Sequence, residues 1–260
     1  MRIPSILLVL AQLVPAPAAA QSPAGPPAAT LPQPPARAAP KPPEKSPAKP
    51  KYDPTSCYAA RTTRGWTVRV HRRLLDESKE VGNRVLDLLD AKLYDINRAV
   101  PPGPLKRLHE IPIWVELDNP GVKCMCYHPS RDWLEEHGFN PEKAGSVEIG
   151  NAATFLDWTR IQPAMVLHEL AHAYHHQVLG WDDPEIAAAY RRAVAAKSYE
   201  SVLCHPSQKR RAYALNDAKE YFAELTEAWF GTNDFYPFVR PEVRQHDPEM
   251  AKLLKKIWGE

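Results

Sequence analysis

The sequence predicts an α+β fold, rich in helices and carrying one small sheet. Three observations carry that expectation. Val81, Val85, Leu88, Leu89, Leu93, Ile96 and Val100 recur at helical spacing until Pro101-Pro102 ends the run, because proline lacks the amide that a helix interior needs. Trp66, Val68 and Val70 alternate with Thr67, Arg69 and His71, the period of a strand with one buried face. Ile111 to Leu117 and Ser146 to Gly150 add two short strands, while later segments open on proline or an N-cap residue and run on in helix formers.

Met1-Arg2 starts the chain with a positive charge, Ile6 to Val14 is apolar, and Ala18-Ala19-Ala20 offers an A-x-A site before Gln21. The apolar run is too short to span a bilayer, so 1–20 is expected to be a secretory signal peptide. No later stretch approaches the roughly 20 apolar residues of a membrane helix. The expectation is a secreted, periplasmic or cell-envelope protein with no stable membrane insertion after signal cleavage. Residues 21–56 mix proline with Ala, Lys and Ser and hold almost no large hydrophobes. Such a segment cannot bury enough apolar surface to offset its ordering entropy, and a disordered, polyproline-like linker is expected there.

The remaining 57–260 stretch, about 200 residues, is long enough for one domain of enzyme size. A formal charge of +2 on the whole chain, with no basic face interleaved with aromatics, excludes nucleic acid as the expected partner. The four cysteines are Cys57, Cys124, Cys126 and Cys204. In an exported chain two disulfides are the default, with Cys57 and Cys204 each paired to one of Cys124 and Cys126. The competing reading is a metal site made by Cys124, Cys126 and His128.

Downstream, His168-Glu169-Leu170-Ala171-His172 lies between Pro163 and Gly180, in a stretch of Ala, Leu, Met and Glu. A helix of about 16 residues is expected, opened by the proline and stopped by the glycine. Residues four apart stack on one helical face about 6 Å apart, so His168 and His172 can converge on one zinc ion. Glu169, beside the first of them, can serve as general base toward a metal-activated water. His176 lies a further turn along, too far for the same coordination sphere. The pattern His-Glu-x-x-His-x-x-Gly-x-x-His is absent, since 175 is His and 178 is Val.

A third ligand must therefore come from elsewhere. Residues 216 to 231 form a second expected helix, with Asn216 or Asp217 as N-cap and Gly231 as the stop. Tyr221, Phe222, Ala223, Leu225, Ala228 and Trp229 mark it as largely buried. Glu220 and Glu224 share one of its faces, and carboxylates facing an interior are costly unless paired or bound to a metal. One reading gives Glu220 the third coordination place and has Glu224 orient a ligand histidine. The other leaves both solvated. Asp183-Pro184-Glu185 and Asp247-Pro248-Glu249 open two further helices near 184–197 and 248–258.

His-Glu-Leu-Ala-His, a later tyrosine at 213, and Glu-Tyr-Phe-Ala-Glu beginning seven residues after that tyrosine together resemble the catalytic centre of the anthrax lethal factor family of zinc metallopeptidases. The Pro-Pro endopeptidases are similar to that family. The resemblance implies a zincin-like domain holding one Zn2+ at His168, His172 and Glu220, a general base at Glu169, and a Tyr213 hydroxyl facing the metal from the opposite side. It further implies that the edge strand beside the active-site helix holds an extended peptide, a role given to Ser146–Gly150. The match covers roughly 164–176 and 213–224; substrate is not carried over.

The expected function is thus an exported zinc-dependent endopeptidase acting on a protein or peptide substrate. Two alternatives stand beside it: a catalytically inactive, zinc-stabilised binding module, and a zinc amidase acting on cell-wall material. Tyr213 has its own alternative, a ring packed beneath the loop that enters the second helix. His205, in the same loop, is expected to be solvated.

Overall fold

The computed structural model describes residues 52–205 and 207–259. The expected signal peptide, and the expected linker up to residue 51, lie outside the described residues. Asp53 and Thr55, at the end of that linker, already touch the domain: Asp53 meets His71, and Asn140 Nδ2 donates to Asp53 O and Thr55 Oγ1.

The chain enters through strands β1 (Tyr58–Thr63) and β2 (Trp66–His71), joined by Arg64-Gly65 with φ of 52° and 104°. Both central residues at positive φ match the tight turn whose twist suits a β-hairpin. Helices α1 (Arg72–Asp76), α2 (Lys79–Ala99) and α3 (Pro102–His109) follow, then β3 (Ile113–Val115), β4 (Met125–Tyr127), α4 (Arg131–Glu136), β5 (Val147–Ile149) and α5 (Ala152–Trp158). The second half holds α6 (Met165–Tyr174) with a π-helical turn (His175–Leu179), α7 (Pro184–Ala196), a hairpin of β6 (Val202–Cys204) and β7 (Gln208–Arg210), α8 (Ala218–Phe230), α9 (Arg240–His246) and α10 (Pro248–Trp258). The described domain is α+β, with a five-stranded mixed sheet and a separate two-stranded one.

In α2 the buried residues are Gly82, Val85, Leu89, Leu93 and Ile96, the stripe that the helical spacing predicts. Gly82 is required there, since a Cβ would stand 2.2 Å from Leu74 O. The large sheet has the order β1-β2-β3-β5-β4, parallel in its centre and antiparallel at both margins. Val68, Ile113 and Val147 are register partners, as are Val70, Val115 and Ile149, and all six are fully buried. On the opposite face the register sets Arg69, Trp114, Glu148 and Cys126 in a row. β3 and β5 are buried on both faces, as central parallel strands are.

That second face is polar and closed. Lys143 Nζ donates to Glu116 Oε1 at 2.6 Å and Glu148 Oε1 at 2.7 Å, and the Tyr58 hydroxyl donates to Glu116. Burial alone would raise the Glu148 pKa, but His128 and Lys143 bring it down to about 2.

Two expectations change. Ser146–Gly150 is not the edge: β5 lies between β3 and β4, and the edge strand beside α6 is β4. The four cysteines carry no disulfide. Cys57 precedes β1 at one margin of the sheet and Cys124 and Cys126 lie at the other. Four strand spacings separate them, about 19 Å, against the 4.4–6.8 Å between Cα atoms that a disulfide tolerates. Cys124 Sγ instead lies 3.3 Å from Met165 Sδ, and Cys204 Sγ is 3.4 Å from His205 O.

Candidate metal centre

α6 begins at Met165 and runs without interruption through the two histidines into the π-helical turn, which ends at Gly180 with φ +87°. Nine of its ten residues are buried, so this helix crosses the interior. It packs against α8. α8 starts where a cap dictates: Asp217 Oδ1 accepts from the amides of Lys219 at 2.8 Å and Glu220 at 2.9 Å, and Gly231 closes the far end. The cap fixes Glu220 in the first turn, facing α6.

His168 Nε2 lies 3.1 Å from Glu220 Oε2, and His172 Nε2 lies 3.3 Å from the same oxygen. The two imidazoles meet edge to face, 4.6 Å between centroids. These three ligand atoms all lie within 4.8 Å of one another and can hold a metal ion. The His168 side chain is fully buried, while those of His172 and Glu220 keep 12% and 19% exposure, so the centre opens to solvent on the His172 side. Burial would raise the Glu220 pKa, yet the contacts with His168 and His172 hold it far below the usual carboxylate range.

The donor set fits a metal on its own chemistry. His168 Nδ1 stands 2.6 Å from Glu227 Oε1, a carboxylate that accepts a proton carried on Nδ1. With the proton there, Nε2 presents a lone pair toward Glu220 Oε2, itself an acceptor. Two acceptors at 3.1 Å require a cation or a shared proton between them. Two histidine nitrogens and a carboxylate oxygen are also the ligand set of hydrolytic zinc sites.

Each residue singled out in the sequence has a place here. His168, His172 and Glu220 converge, and the Tyr213 hydroxyl donates to Glu220 Oε1 at 3.3 Å from the short helical turn (Tyr213–Leu215) before α8. Glu169 is buried on α6, one residue beyond His168. Glu224 is buried behind the site, but its Oε1 lies 3.7 Å from His168 Nδ1. The carboxylate that meets this nitrogen is Glu227, which sequence reasoning missed. A signal was present, since 220, 224 and 227 continue one helical stripe.

Beside the centre, His176 Nδ1 lies 2.8 Å from the Tyr127 hydroxyl of β4 and its ring stacks on Trp181 at 4.9 Å. The edge strand is thereby tied to the far end of the site helix. His205 sits apart, on a cavity also lined by Arg160, Asn233 and Phe238. Compared with protein-family models, curated proteins and solved structures, the chain matches none.

Proposed function

We propose that this chain is a zinc-dependent endopeptidase, exported and acting on a protein or peptide substrate. The observation that carries the reading is the convergence of His168 Nε2, His172 Nε2 and Glu220 Oε2 from two packed helices, with Glu169 and Tyr213 adjoining. Neither a base nor a phenol is needed merely to hold an ion, which favours catalysis over a binding module. The resemblance of these residues to the lethal factor family supports the same assignment.

Zinc, when bound at such a ligand set, supplies Lewis acidity and a water acidified to a pKa of about 7. The chain's own residues do the rest. Glu169 accepts the proton of the attacking water at its carboxylate and returns it to the leaving nitrogen. The Tyr213 hydroxyl donates toward the carbonyl oxygen as negative charge gathers on it. Glu227 keeps the His168 proton on Nδ1 and so directs Nε2 at the ion.

The test is a peptide-library digest read by mass spectrometry, with and without a zinc chelator. Cleavage that stops with chelator is expected. Glu169→Gln should retain its zinc and lose turnover by a factor on the order of a hundred or more. A Glu169→Gln variant as active as wild type would sink this mechanism, and amide opening in cell-wall fragments with no peptide cut would move the substrate class.

A further inference from the structure

A second cluster of metal-ligating side chains lies on the polar face of the sheet, away from the centre just described. Cys126 and His128 are two residues apart along β4 and its continuation, so both point to the same side. Glu148 is the direct register partner of Cys126 on β5. From this geometry we propose that Cys126 Sγ, His128 Nε2 and Glu148 Oε2 form a second metal site, taking a borderline-soft divalent ion such as Zn2+.

The three ligand atoms lie within 4.8 Å of one another. Cys126 Sγ is 3.4 Å from His128 Nε2, and Glu148 Oε2 is 2.5 Å from that same nitrogen. A thiol–imidazole–carboxylate relay would put sulfur and carboxylate on different ring nitrogens; here Nδ1 is the farther one, 4.0 Å from sulfur. Convergence on one nitrogen is the arrangement of ligands around an ion. A separation of roughly 3.5 Å is what a nitrogen and a sulfur span around a tetrahedral zinc, so the sulfur is already in place. The oxygen is held closer by a bridging proton, and less than about 1 Å of movement opens the space.

The surroundings are those of a ligating carboxylate. Glu148 Oε1 accepts from Lys143 Nζ and from Asn119 Nδ2, both at 2.7 Å, which leaves Oε2 for the cluster. Outer hydrogen bonds of this kind orient metal ligands. Charge closes as well: Lys143 is offset by Glu116, so Glu148 and a Cys126 thiolate together match one divalent ion. The ion enters as the thiol proton and the bridging proton leave to solvent. Thiolate and imidazole select zinc over magnesium or calcium. Bound there, the ion pins the edge strand β4 to β5 along the wall that flanks α6.

The full-length chain, kept reduced, stripped of metal and refilled with Co2+ alone, tests this without any substrate. Two cobalt ions per chain are expected, with a near-ultraviolet thiolate-to-cobalt charge-transfer band, which the sulfur-free His168/His172/Glu220 site cannot produce. Cys126→Ser should abolish the band and leave one ion; Cys57→Ser and Glu220→Ala should both keep it. No band in the wild-type chain overturns the proposal and needs no variant to do so. A band that survives Cys126→Ser, or one lost with Cys57→Ser, also overturns it. Loss of the hydrolase reading would show instead as a cobalt count unchanged by Glu220→Ala, so the two failures are separable.

Discussion

Glu227 shows how much of the centre a sequence can disclose. Glu220 and Glu224 were readable as one face of a buried helix, and Glu220 does stand against both histidines. Which of the next two carboxylates meets His168 Nδ1 depends on how α6 and α8 cross, a tertiary quantity that composition does not carry. Glu227→Gln keeps the side chain's shape but removes the charge behind the ligand, and zinc affinity should fall roughly 10–100-fold. Competition with a chromophoric chelator measures it, and an unchanged affinity would return the orienting role to Glu224. Tyr213 makes the complementary prediction. Its hydroxyl reaches Glu220 Oε1 at 3.3 Å, so it stands at the rim of the site. Tyr213→Phe should cost about 3 kcal/mol, near a hundredfold in turnover, with zinc content unchanged. Unaltered turnover would leave the ring as packing alone.

Among the elements, those with a period or a cap were legible and those without were not. α2, β2, α7 and α10 begin and end close to where stripe, alternation and the Asp-Pro-Glu signals put them. β4 has no such mark: Met125-Cys126-Tyr127 is three residues long, in a stretch of Gly, Lys, Cys and Pro. The edge role therefore went to β5, which has the stronger apolar pattern because it is central and buried on both faces. The π-helical turn after α6 makes a prediction of its own. His175 is fully buried between Trp181 and Phe222, 5.1 Å from each, and neither ring nitrogen has a hydrogen-bond partner among the described residues. Burial, with the nearby His172, pushes its pKa down from 6.5 to about 4. Below pH 6.5 the unfolded chain takes up a proton that the folded chain refuses, so stability present above that pH is lost as pH falls toward 4. The loss should reach roughly 3 kcal/mol. In metal-stripped protein, denaturant midpoints followed from pH 7 to 4 should fall more steeply for wild type than for His175→Leu, and parallel slopes would refute the assignment.

On the scale of the whole molecule the metal centre is a link between distant parts of the chain. His168 and His172 come from α6 and Glu220 from α8, with α7 and the small hairpin between them in sequence. Among the described residues no disulfide shares that task, and the expectation of two bridges failed because the sheet holds Cys57 and Cys126 at opposite margins. A ligand that binds only the folded state stabilises it by mass action, about 4 kcal/mol when its free concentration is a thousand times Kd. For a domain near 200 residues that corresponds to roughly 10 °C in melting temperature. Removing zinc with a chelator should lower the wild-type Tm by about that amount, and adding zinc back should restore it. Glu169→Gln keeps every ligand and should show the same drop. Glu220→Ala should start lower and lose most of the response, keeping only what the Cys126 site contributes. A melting temperature that ignores the chelator in all three proteins would mean that α6 and α8 are held by packing alone, and that no ion is bound tightly enough to matter for the fold.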